Sequence, residues 1–147
     1  MAVQRMHHVG VVVEDLEATR DFFVAIGLEL EGEWVAEGDW VGRVIGLEGV
    51  RSRCAMLRTR DGGSRLELSE FESPAGQTGS PAAPSHAPGL RHLAFPVDDL
   101  AATLEIVREL GYDTIGSVER SDPYVLCYVR GPEGLLVELA EETADQR

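Results

Sequence analysis

Two histidines and two glutamates recur at matched places in this chain, and together they could hold a divalent metal ion. Sliding the sequence by 84 residues sets MHHVGVVVEDLEATRDFFVAIGLELEG over LRHLAFPVDDLAATLEIVRELGYDTIG, with His8 on His92. Val13, Asp15, Leu16, Ala18, Thr19, Gly27 and Gly32 fall on identical residues in the same frame. An offset of 71 then sets Gly63, Glu67 and Leu68 over Gly134, Glu138 and Leu139. The change of offset shows that the copies differ in length in their middles. Two imidazoles and two carboxylates form a mixed nitrogen and oxygen set suited to Zn, Ni, Co, Fe or Mn. Their bonds to the ion would be about 2.0–2.2 Å, leaving positions for water or two substrate oxygens. A lone histidine or glutamate on a strand is ordinarily hydrogen-bonded or solvated. The duplicated occurrence is what selects His8, Glu67, His92 and Glu138.

The elements that must position these residues follow from the same repeat. Residues 6–13 are mostly apolar and rich in valine, which predicts a strand. Asp15 is suited to cap a helix whose stripe is Leu16, Thr19, Phe23 and Ile26, and Gly27 ends it. The second copy repeats this with Asp99, then Leu100, Leu104, Val107 and Leu110, then Gly111. Strand-like runs follow at 28–35, 53–59 and 64–70, and again at 112–119, 124–130 and 134–140. Alternation puts Glu67 on the face opposite Leu66 and Leu68, and Glu138 opposite Val137 and Leu139. Both carboxylates thus leave the side expected to pack under a helix. His7 is expected to point away from His8 and not to ligate.

The resulting division is a first module at 1–71, a linker rich in Pro, Gly and Ser at 72–89, a second module at 90–141, and a polar tail at 142–147. The segment Gly38–Arg51 resists assignment as loop or short helix. Trp40 within it is a candidate substrate contact, as are Arg53, Tyr124, Tyr128 and Arg130 on the predicted strands. Thirteen basic against 26 acidic residues give a net charge of −13. That charge argues against nucleic acid or anionic lipid as partners. There is no run of 18 apolar residues and no apolar leader at MAVQRMHHVG, so a cytoplasmic protein is expected. Cys54 and Cys127 fit two free thiols rather than a disulfide framework.

HHVGVVVEDLEATRDFF, SRLELSEF, LRHLAFPVDDLAATL and GPEGLLVELAEE together resemble the vicinal oxygen chelate superfamily, which includes glyoxalase I, methylmalonyl-CoA epimerase, extradiol dioxygenases and bleomycin-resistance proteins. The resemblance covers almost the whole chain apart from linker and tail. It implies an α+β fold of two paired βαβββ modules, an open cup-shaped mixed sheet with helices outside, and a homodimer. It also implies one divalent metal per chain, Zn, Ni, Co or Mn ahead of Fe, on His8, Glu67, His92 and Glu138. The implied activity is a metal-dependent lyase, isomerase or epimerase of glyoxalase-like type acting on a small oxygenated substrate. Such an enzyme takes a proton from the carbon next to a metal-bound carbonyl, with Glu138 as the expected base and Glu67 as its partner. The alternatives are an extradiol-type dioxygenase and a non-catalytic ligand-binding protein of the bleomycin-resistance kind. The first strand, VGVVVED, lacks the arginine usual in short bacterial glyoxalase I. PYVLCYVRGPEG likewise replaces a lysine-containing stretch of the epimerase.

Overall fold

The computed structural model describes residues 2–76 and 83–143. Contacts divide the chain into two compact units, Met1–Gly79 and Ser80–Arg147, and each contains one copy of the repeat. In the first unit, strand β1 (Val9–Val12) leads through Asp15 into helix α1 (Leu16–Ala25). The Asp15 carboxylate accepts from the Ala18 amide at 2.9 Å, which satisfies one of the orphan donors at the helix start. Thr19, fully buried, donates its hydroxyl to the Asp15 carbonyl at 2.8 Å. The chain turns at Gly27 with φ +118°, a backbone conformation that favours glycine, and enters β2 (Glu29–Glu37). Helix α2 (Asp39–Ile45) is followed by β3 (Arg51–Arg58) and β4 (Arg65–Ser73), giving a sheet of order β1-β4-β3-β2. β1 runs parallel to β4, and the other pairs are antiparallel. Phe22, Phe23, Ala55, Leu57 and Leu68 are buried to within 1% and form the centre of the core.

The second unit repeats the plan. β5 (His92–Pro96) leads through Asp99 into α3 (Leu100–Glu109), and Asp99 accepts from the Ala102 amide at 2.9 Å. Gly111 ends this helix at φ +88°. The expected strand at 112–119 is instead two short pieces, β6 (Asp113–Thr114) and β7 (Glu119–Ser121), both paired with β8 (Tyr124–Arg130). A single 3-10 turn at Pro132–Gly134 precedes β9 (Leu136–Glu142), and the main order is β5-β9-β8-β6. Val107, Val129, Val137 and Leu139 are fully buried between helix and sheet.

The class is α+β, with two mixed sheets and three α-helices among the described residues. Residues 77–82 of the expected linker and 144–147 of the expected tail lie outside the described residues. β4 runs on to Ser73 and β9 to Glu142, so the strands reach into segments read as linker and tail. No helix among the described residues is long and apolar enough to cross a membrane.

Candidate functional site

Strand register decides which side chains share a face, because directly opposed residues project to the same side of a sheet. In the first unit Glu67 lies opposite Met56 on β3 and Gly10 on β1. Leu66 and Leu68 alternate with it and are buried beneath the helix. His8 sits just before β1, two residues from Gly10, and its Nε2 is 3.8 Å from Glu67 Oε2. The two side chains are 38% and 26% exposed, open enough to take a ligand.

The second unit reproduces this arrangement. Glu138 lies opposite Ala94 on β5 and Tyr128 on β8, and His92 Nε2 is 3.4 Å from Glu138 Oε2. Two donors on one ion, each about 2.0–2.2 Å from it, stand roughly 3.0–3.4 Å apart at octahedral to tetrahedral angles. The His92–Glu138 pair has that spacing, and the His8–Glu67 pair is a few tenths of an ångström wider. Each pair offers one imidazole nitrogen and one carboxylate oxygen, donors of the kind a divalent metal takes. Among the described residues no group of three or more His, Cys, Asp or Glu gathers as a metal cluster, and each unit brings together one histidine and one glutamate. Tyr128 distinguishes the second pair. Its ring centroid is 5.1 Å from that of His92, and burial, then the charge and hydrogen bond of Glu138, push its phenol above the usual range. The phenol therefore holds its proton and donates to the carboxylate.

The family model for the Glyoxalase/Bleomycin resistance protein/Dioxygenase superfamily matches residues 7–128. The chain belongs to this superfamily. A glyoxalase family protein from Bacillus cereus superposes with a TM-score of 0.94 at 40% identity, over 98% of this chain and 97% of that one. The uncharacterized protein YaeR of Escherichia coli is 26% identical over 97% of this chain and 99% of its own length. The fosfomycin resistance protein FosX from Listeria monocytogenes, solved with Mn(II) and sulfate, shares the fold at TM-score 0.59 and 18% identity, covering 99% and 98% of the two chains.

Of the other residues singled out in the sequence of this superfamily member, Tyr124 and Arg130 lie on the Glu138 face, and Arg53 does not lie on the Glu67 face. Arg53 faces the helix side of its sheet, because it lies opposite Glu70 and shares a face with Ala55 and Leu57. It pairs with Glu17 on α1 and, at 3.3 Å, with Glu70, so it is turned away from Glu67. Trp40 is 60% exposed in the first turn of α2, which packs on β2, the sheet edge farthest from β1. Tyr124 and Arg130 do share the Glu138 face, although Arg130 is held by the carbonyls of Ala83 and Gly134 at 3.1 and 3.0 Å. Cys127, one of the two expected free thiols, is buried on the face opposite Glu138, where desolvation pushes its thiol up. His7 does not diverge from His8. The strand starts only at Val9, so alternation does not govern residues 7 and 8, and their Nδ1 atoms are 2.7 Å apart.

The structure adds two carboxylates that the sequence reading passed over. Glu70 accepts from the Leu16 amide at 3.2 Å, and Glu141 from the Leu100 amide at 2.8 Å, so each last strand helps cap its own helix. Both lie in the frame offset by 71, which was the signal available for them. Trp34 on β2 was likewise unmarked in the sequence. It lies opposite Cys54 on the Glu67 face and is 39% exposed.

Proposed function

We propose that this protein is a metal-dependent lyase, isomerase or epimerase of glyoxalase-like type, with His8, Glu67, His92 and Glu138 holding one divalent ion. The observation that carries this reading is the recurrence, in both units, of a half-exposed histidine Nε2 facing a glutamate Oε2 at 3.8 and 3.4 Å. The other shared polar residues have structural work: Asp15 and Asp99 cap helices, Thr19 and Thr103 bond to the preceding turn, and Glu70 and Glu141 meet helix amides. The histidine and glutamate pairs have none of that kind. When bound, the ion would act as a Lewis acid toward a substrate carbonyl, acidifying the neighbouring C–H. Glu138 is assigned to accept that proton, steadied by Tyr128 across the strand, and Glu67 is its partner for return or for epimerisation. His8 and His92 keep their places throughout. A cytoplasmic homodimer belongs to the same reading, supported by two free buried cysteines and by the exposed apolar residues Trp40 and Val44 of α2.

The deciding experiment is elemental analysis of protein purified without chelators, beside a His8→Ala, Glu138→Gln double variant. About one Zn, Ni, Co or Mn per chain, lost in the variant, is the expected result. Iron in its place would favour a dioxygenase. No metal in either sample, with none taken up on reconstitution, would sink the reading in favour of a ligand-binding protein.

A further inference from the structure

The second unit carries, on the face of Glu138, a cation that no carboxylate balances. Strand register lays that face out in rows. His92, Leu136 and Arg130 stand side by side on β5, β9 and β8, and Ala94, Glu138 and Tyr128 form the next row. Arg130 is therefore the diagonal neighbour of Glu138, about 7–8 Å from it along the sheet, which a small molecule can span. Arg51, Arg53, Arg58, Arg65 and Arg120, the other arginines on strands, each form an ion pair with Asp or Glu. Arg130 forms none among the described residues, in a chain with 26 acidic side chains against 13 basic ones. Its Nη1 donates instead to the carbonyls of Ala83 and Gly134 at 3.1 and 3.0 Å. Those acceptors are neutral, so they fix the guanidinium without cancelling its charge. With both Nη1 hydrogens on carbonyls, the Nε–H and Nη2–H of the opposite edge remain. These two point the same way, the fork that a carboxylate or phosphate accepts bidentately. The side chain is only part-exposed, and a charge partly stripped of water gains more from a counter-ion than a fully solvated one.

Resting on the reading of Glu138 as the base, we propose that Arg130 anchors an anionic group of the substrate, a carboxylate, phosphate or phosphonate, and so selects an acid-bearing carbonyl compound. The anion seats on the Nε–Nη2 edge, while the turn that carries Gly134 holds the other edge in place. Every group this needs lies in the second unit. The net charge of −13 does not forbid it, because exposed charges are largely screened beyond about 8 Å at physiological salt.

The test follows the Nε–H signal of Arg130 by NMR in nitrogen-labelled protein supplied with zinc, the signal being assigned as the one missing from Arg130→Lys. Methylphosphonate and acetate are titrated in turn, each beside its neutral methyl ester. The expected result is a saturable shift with at least one anion and none with either ester, and the tighter anion identifies the head group. Read at the Gly131 and Gly134 amides, Arg130→Gln should weaken that anion about tenfold. Arg130→Lys, which keeps the charge but not the fork, should also bind more weakly than the parent. Should Arg130→Gln lose its fold by circular dichroism, Arg130→Lys takes its place in the comparison. An Arg130 signal unmoved by both anions, an equal shift with an ester, or undiminished affinity in the folded variant would overturn the proposal. Zinc content is measured on the same samples. A chain that takes up no zinc fails the metal reading, while the response of Arg130 to the anions still decides this one.

Discussion

Across the strand from its glutamate each half presents a different neighbour: Met56 faces Glu67, whereas Tyr128 faces Glu138. Groups that orient metal ligands commonly govern about 10–100-fold in metal affinity. Tyr128→Phe should therefore lower zinc affinity roughly tenfold without unfolding the protein, whereas Met56→Leu should leave it unchanged; competition with a chromogenic chelator, beside circular dichroism, checks both. Equal affinities in all three proteins would remove Tyr128 from the site. At this scale the two histidine–glutamate pairs were legible because the chain states the pair twice. Trp34 was not, since the 84-residue frame sets it on Val118 and no identity marks it. Arg53 misled for a simpler reason. Its strand was foreseen, but its partners Glu17 and Glu70 are 36 and 17 residues away, and they fix its direction.

The helices show what periodicity can and cannot convey. α1 and α3 begin at their aspartates and end before their glycines, as the stripe and the terminators require. α2 escaped because it is seven residues long with glycines at 38, 42 and 46, a composition that denies it both a stripe and propensity. Its fold becomes intelligible only in three dimensions, where a Cβ on Gly42 would collide with the Leu47 carbonyl. The interruption between β6 and β7 likewise depends on both pieces finding β8, a contact that no local pattern announces. Glu141→Ala removes an acceptor from the first turn of α3 and should lower stability by about 1 kcal/mol. Leu139→Ala, at a fully buried position of the same strand, should cost about 2–5 kcal/mol. Urea unfolding of the two variants should preserve that order, and a Glu141 variant as stable as the parent would mean that water replaces the carboxylate.

For the molecule as a whole, acid should be the weak direction. The carboxyls of Glu17 and Glu31 are held below their usual range by hydrogen bonds from Arg53 and Arg65, that of Asp61 by the Thr59 hydroxyl, and that of Asp113 by the Thr114 amide and then Arg108. A carboxyl depressed in the folded state favours folding above its unfolded pKa near 4 and loses that contribution as pH falls through the folded value. These groups are exposed, so each contributes little. The urea midpoint should nonetheless fall between about pH 5 and 3. A midpoint that holds steady across that interval would mean the ion pairs do nothing for the fold. The last strands impose a second constraint. Glu67 and Glu70, like Glu138 and Glu141, are three residues apart on one strand and therefore serve opposite faces. Shifting either strand by a single residue would drive the first carboxylate into the hydrocarbon under the helix and pull the second away from the helix amide. The duplicated spacing thus works as a parity check on strand pairing, written once in each half of the chain, and a misaligned sheet would be rejected during folding before any ligand reached it.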